Sequence, residues 1–256
     1  YEGLNKKLRG IRYGSLVTFT SGTGQGKSSL CRELAAHFLS KGERVGYVAL
    51  EESNRRTALG LMSAACGKRF HIGEHERSTL TEAYQDTLAK WNLFLFAGFG
   101  SFDPDNIISR IRYLAAGLDC RVVFLDHLSI LLSGLDGDER RMIDSTMTKL
   151  RSLCEETGIS MFLVSHLRRA QGDKGHEDGA KVSLGQLRGS HSISQISDAV
   201  IGLERDQQSG DEHADTTVRV LKNRFTGETG IACQLKYDKE KCKFYESKSF
   251  DPQTDF

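Results

Sequence analysis

The sequence predicts an α/β fold, a mostly parallel central sheet with helices on both faces and a C-terminal antiparallel β-meander. Three observations predict it. Several β-rich runs are apolar at nearly every position, as strands covered on both faces must be. Segments of helical pattern separate them, the arrangement of parallel strands joined by crossovers. The last runs instead follow one another through short glycine turns.

In chain order, Leu16–Thr20 is a short strand and Ser28–Ser40 a helix, followed by a strand at Arg44–Leu50 (RVGYVAL). Helices are expected over Asn54–Cys66, Leu80–Trp91 and Pro104–Gly117, with Leu93–Ala97 a strand between the last two. Arg121–Leu125 (RVVFL) is a near-continuous apolar run, Asp138–Thr157 a polar helix and Ile159–Ser165 (ISMFLVS) a strand. Ala199–Leu203, Thr217–Val220 and Ile231–Tyr237 complete the strands, and the ending KSFDPQTDF reads as disordered.

At 256 residues, 38% hydrophobic and 27% charged, the chain suits one large domain, and two prolines mark no linker. Tyr1 in place of methionine is the expectation for a piece cut from a longer protein. No apolar run approaches the ~20 residues that span a bilayer, so a cytoplasmic protein without a membrane partner is expected. A net charge of +1 excludes a bulk polycation, so any nucleic-acid affinity has to come from a local patch. The six cysteines stand singly, without metal-type spacing, and are read as buried thiols.

The strongest chemical signal is SGTGQGKS. A glycine-rich turn between a strand and a helix aims backbone N–H groups at a phosphate beside the positive end of the helix dipole. Ser21, Gly22, Thr23, Gly24, Gln25, Gly26, Lys27, Ser28 and Ser29 are the candidate nucleotide-binding residues. The three glycines allow close approach, Lys27 reaches the β- and γ-phosphates, and the Ser28 hydroxyl ligates Mg²⁺. Ser21 stands where the first glycine is usual.

Other chemistry falls at strand ends, where open α/β sheets bind ligands. Asp126 closes the FLD run and suits Mg²⁺ held through water. Glu51 and Glu52 follow the second long strand; one of them is a candidate to orient and deprotonate a water, with Glu51 preferred. His166 ends the third, placed to sense a γ-phosphate. Lys222 and Arg224, two residues apart before a glycine turn, share one strand face.

Taken together, SGTGQGKS, VALEES, VVFLDHLSIL, DERRMIDSTMTKLR, VSHLRR, LGQLRGSHSISQISD, IGLERDQQ and LKNRFTGETGIACQLKY resemble the helicase domain of phage primase-helicases. These are hexameric motors with a RecA-like P-loop NTPase core, related to DnaB and to Twinkle. The resemblance covers about Gly3 to Tyr237 and implies a motor domain over residues 1–246 with a tail at 247–256. It implies ATP- or dTTP-driven movement along single-stranded DNA, 5′–3′ unwinding of forked duplex, and a hexameric or heptameric ring. Glu51 matches the catalytic carboxylate, His166 the γ-phosphate switch residue, and Lys222 with Arg224 the pair that enters a neighbour's nucleotide site. Arg205 and Tyr237 match the residues that flank the base.

DNA contacts are expected from loops facing the ring's channel. His166–Leu184 is long, glycine-rich and nearly free of apolar residues, with Arg168, Arg169 and Lys174 as phosphate contacts. Leu187–Gln195 adds Arg188, Gly189, Ser190 and Gln195, although the resemblance expects a glycine near His191 and an arginine near Ser194. Asp255–Phe256 is similar to acidic, aromatic-ended tails that contact a replicative DNA polymerase. The competing classes are a RecA-type recombinase or KaiC-like ATPase, which share the P-loop and the strand-end acids, and a non-catalytic nucleotide-binding regulator.

Overall fold

The computed structural model describes residues 1–98, 103–131, 139–168, 175–187, 191–208 and 215–249. Among these residues nine strands form one sheet: β1 (Leu16–Ser21), β2 (Val45–Ala49), β3 (Leu93–Ala97), β4 (Val122–Asp126), β5 (Ser160–His166), β6 (Ala199–Glu204), β7 (Thr216–Asn223), β8 (Gly230–Asp238) and β9 (Lys243–Ser249). Their order is β3-β2-β4-β5-β1-β6-β7-β8-β9. The first six are parallel and the last three join antiparallel.

Alternation along the strands divides the core. Val17 and Phe19, Val122 and Phe124, and Phe162 and Val164 face one side; Leu16, Val123 and Leu125, and Met161 and Leu163 face the other. The first side is covered by α1 (Glu2–Leu8), α2 (Lys27–Ser40) and α3 (Asn54–Cys66), which contribute Leu4, Leu8, Leu30, Leu39 and Leu61. The second is covered by α4 (Pro104–Ala116), α5 (Glu139–Thr157) and α6 (His191–Ile196), which contribute Ile107, Ile111, Met147, Leu150 and Ile193. On the first side the rings of Tyr47, Phe124, Phe162 and Phe19 stack at centroid spacings of 5.4, 4.7 and 6.0 Å. This continuous stack ties four neighbouring parallel strands together beneath α2.

Four local readings change. Helix α1, absent from the sequence reading, packs over the antiparallel strands. The helix expected at Leu80–Trp91 runs Arg77–Asp86, because Thr87 leaves helical geometry and its hydroxyl donates to the Ala83 carbonyl at 2.6 Å. Strand β7 extends to Asn223, so Lys222 lies in the strand and Arg224 just beyond it. Strand β9 runs to Ser249, taking the first three residues of the expected tail into the sheet. Five cysteines are buried as expected, while Cys66 is exposed. Among the described residues, no helix is long and apolar enough to cross a membrane.

Candidate functional site

The glycine-rich turn links β1 to α2 at the C-terminal edge of the parallel strands. Gly24 and Gly26 adopt φ of 75° and 93°, which side chains strongly disfavour. Gly22 is required for space instead, since a Cβ there would stand 2.5 Å from the Cβ of His176. Lys27 folds back on the turn: its Nζ donates to the carbonyls of Ser21 and Gly22 at 3.0 and 2.8 Å and to Ser21 Oγ at 2.9 Å.

Burial pushes the Lys27 ammonium down to about 8, against the opposing pull of Asp126, Cys31 and Glu51. A phosphate beside Nζ favours the charged form and raises that value again. Binding must therefore take up a proton wherever the empty site is deprotonated and the filled one is not, that is, above pH 8. Calorimetry in two buffers of different ionisation enthalpy should show uptake approaching one proton at about pH 9 and little near pH 7.

A cleft of about 290 Å³ opens over the turn, lined by residues 23–29 together with Glu51, Asp126, His127, Val164 and His166. Asp126, at the end of β4, is buried, which raises its carboxyl, while the Ser28 hydroxyl, His127 and Arg32 work in the opposite direction. Ser28 and Asp126 thus offer hydroxyl and carboxylate oxygens side by side, the hard donors that Mg²⁺ takes. A buried carboxylate in want of a cation fits that group.

The two adjacent acids part company. Glu52 is engaged by Arg32 Nη2 at 2.7 and 2.6 Å and by Thr57 Oγ1 at 2.8 Å, tying α2 to α3. Glu51 is 57% exposed, lines the cleft, and meets His127 Nε2 at 2.7 Å. The His166 ring lies 4.1 Å from that of His127, edge to face. His127 was not among the residues expected from sequence; its only signal is its place after Asp126.

Tyr237 and Phe244 close the other flank, with ring centroids 4.7 Å apart. Tyr237 shares side-chain hydrogen bonds with Ser29 and Cys242, and burial pushes its phenol up to about 12. A Cβ on Gly26 would stand 3.2 Å from Phe244 Cζ. Phe244 was missed because it belongs to β9; the two aromatics of KFYE, shortly after the preceding strand, were the available signal. Gln25 Nε2 donates to the carbonyls of His176 and Arg205 at 2.7 and 2.9 Å, and Gln207 Nε2 to that of Thr23 at 3.2 Å. Arg205 therefore sits against the turn.

The loop after His166 differs from a freely solvated one. His176 is buried, and its Nε2 lies 2.9 Å from the Arg168 carbonyl. Through the Gln25–His176 hydrogen bond the described part of this loop is tied to the glycine-rich turn. Arg168 is exposed, whereas Arg169, Lys174, Arg188, Gly189 and Ser190 lie outside the described residues. Gln195 is exposed, and its carbonyl is occupied by both Lys222 Nζ and Arg224 Nη2, at 2.7 and 2.9 Å.

Those two cations are not brought to the chain's own cleft. Lys222 pairs with Val200 on β6, and Arg224 N–H bonds the Asp198 carbonyl, level with Leu16 at the start of β1. The glycine turn lies beyond the other end of β1, about 16 Å away along the strand at ~3.3 Å per residue. Lys222 and Arg224 do converge, as their spacing implied, but at the opposite edge of the sheet.

A family model described as the DnaB-like helicase C terminal domain matches residues 1–246. The chain belongs to this family. A DNA helicase/primase of Enterobacteria phage T3 is 37% identical over 247 residues, covering 93% of this chain and 44% of that protein. A probable plasmid replicative DNA helicase of Chlamydia muridarum (strain MoPn / Nigg) is 24% identical over 251 residues, covering 95% and 53%. DNA repair protein RadA of Chlamydia trachomatis serovar D matches more weakly, at 23% over 231 residues, covering 88% and 40%. The chain spans about half the length of these curated relatives. A solved DnaB-like replicative helicase, described with its interactions with primase, superposes with a TM-score of 0.79 at 19% identity, covering 95% of this chain and 61% of that one. At that identity the likeness establishes the fold, the RecA-like core of DnaB-type helicases.

Proposed function

We propose that this DnaB-family domain hydrolyses ATP or dTTP to move along single-stranded DNA and unwind forked duplex 5′–3′, in a hexameric or heptameric ring. The observation that carries this reading is the displacement of Lys222 and Arg224 to the sheet edge opposite the cleft. A site with its own Lys27, Ser28 and Asp126, but with Lys222 and Arg224 on the far edge, is completed by a second copy.

The turn residues and Lys27 hold the phosphates, Ser28 and Asp126 hold Mg²⁺, and Arg205 and Tyr237 flank the base. Mg²⁺ held there would neutralise charge developing on the phosphate oxygens. Glu51 orients and deprotonates the attacking water, His166 reads the γ-phosphate, and a neighbour's Lys222 and Arg224 stabilise charge on the equatorial oxygens. Arg168, Arg169 and Lys174, with Arg188, Gly189, Ser190 and Gln195, track the DNA backbone. The described link from the first of these loops to Gln25 through His176 supports coupling of DNA to nucleotide. Residues 1–246 form the motor, and the tail contacts a replicative polymerase.

A duplex carrying 5′ and 3′ single-stranded tails tests the reading. Strand displacement that needs both Mg²⁺·NTP and the 5′ tail is expected. A RecA/KaiC-like role in recombination has the RadA similarity in its favour; strand exchange without displacement would select it.

A further inference from the structure

We infer that His127 is a positioning residue for hydrolysis, holding the Glu51 carboxylate in register with the γ-phosphate; the inference rests on Glu51 being the base. Glu51 follows the end of β2 and is largely solvent-exposed, so its rotamers are little restrained by packing. A general base must nevertheless stay within hydrogen-bond reach of one water in a fixed direction. The imidazole of His127 is anchored, with its side chain 6% exposed, and its Nε2 lies 2.7 Å from Glu51 Oε1.

The hydrogen-bond pattern assigns the proton. His127 Nδ1 is buried without a hydrogen-bond partner among the described residues. With the proton on Nδ1, a donor would be stranded and a nitrogen lone pair would face a carboxylate oxygen. With it on Nε2, the ring donates to Glu51, and only a weaker acceptor is left unpaired. One carboxylate oxygen is thereby fixed, and the other is left to the water.

The same ring packs edge to face on His166, 4.1 Å away. A candidate ligand atom from each of Glu51, His127 and His166 falls within 4.8 Å of the other two. His127 thus stands between the carboxylate that acts on water and the residue that reads the γ-phosphate. Asp126, on the chain just before it, carries the metal-side chemistry. One immobile imidazole sets the position of the base relative to both.

Misplacing a catalytic group by an ångström costs on the order of a hundredfold, so His127→Ala should lower kcat by about tenfold to a hundredfold, with KM for the NTP unchanged. His127→Gln, which can offer an amide N–H in place of Nε2–H, should recover part of that loss, whereas His127→Leu, similar in bulk but without a donor, should not. The Gln and Leu variants decide the matter even if the alanine protein fails to fold. Equal kcat for these two, or a loss carried by KM, overturns the inference. In a Glu51→Gln background, His127→Leu should add no further loss. If Glu51→Gln itself hydrolyses NTP normally, the proposed base is wrong; if it is dead while His127→Leu is fully active, only the positioning role fails.

Discussion

Arg224→Ala is expected to cut NTP hydrolysis by about a thousandfold or more while leaving nucleotide affinity unchanged, because an arginine supplied in trans acts on transition-state charge. The geometry makes the distinction sharp. Arg224 lies level with Leu16, at the edge of the sheet away from the glycine turn, so its removal leaves every turn residue and Lys27 in place. Its guanidinium is 49% exposed and bonded to Asp198 Oδ1 at 3.1 Å. The buried Asp198 carboxylate keeps the Leu16 N–H at 2.9 Å and Arg151 Nε at 3.6 Å when this half-exposed arginine is removed, so little stability should be lost with it. Burial and the adjacent Arg224 charge lower the Lys222 ammonium, and a neighbour's phosphates would restore it. Subunits carrying Arg224→Ala retain Glu51, and subunits carrying Glu51→Ala retain Arg224. Mixing the two inactive proteins should restore turnover at interfaces that pair an intact Glu51 with an intact Arg224. If no mixing ratio regains hydrolysis, the trans assignment is wrong.

The parallel core was legible because buried strands such as RVVFL and ISMFLVS are apolar on both faces, a pattern that solvent-facing segments do not keep. The glycine turn was legible because phosphate chemistry constrains residue type at each step. Strand β9 was not, because KFYESKS is mostly polar: Phe244 is buried, but Glu246 on the same face is a charge whose role is to accept the Gly3 N–H at 2.8 Å, a contact distant in sequence. Nor could spacing separate Glu51 from Glu52. That choice is made by Arg32, twenty residues earlier on α2, which is drawn to Glu52 and leaves its neighbour at the cleft. Likewise, the loop after His166 reads as a DNA-contacting loop with no sign that it is anchored to the glycine turn, which only the Gln25–His176 hydrogen bond shows. Contacts distant in sequence decided each of these, and a linear pattern holds no record of them.

Asp198→Ala should produce the largest loss of stability of any single change near the proposed interface, about 3 kcal/mol, the size found when one partner of a buried charge network is removed. Asp198 is almost fully buried, and its Oδ2 accepts the Leu16 N–H at 2.9 Å. Arg151 Nε stands 3.6 Å from the same oxygen, with Arg224 on the other. Alanine strands the Leu16 amide inside the core, at about 1–3 kcal/mol, and leaves the partly buried Arg151 beside an empty space. For a domain of this size the melting temperature should fall by roughly 6–12 °C, measurable by calorimetry without nucleotide. The comparison with Arg224→Ala separates the two ends of one ion pair. The arginine end should lose turnover with little change in melting, and the aspartate end should lose melting temperature. Should the two variants melt alike, Asp198 serves chiefly to hold Arg224, and the pair is an interface element rather than a bolt on the first strand.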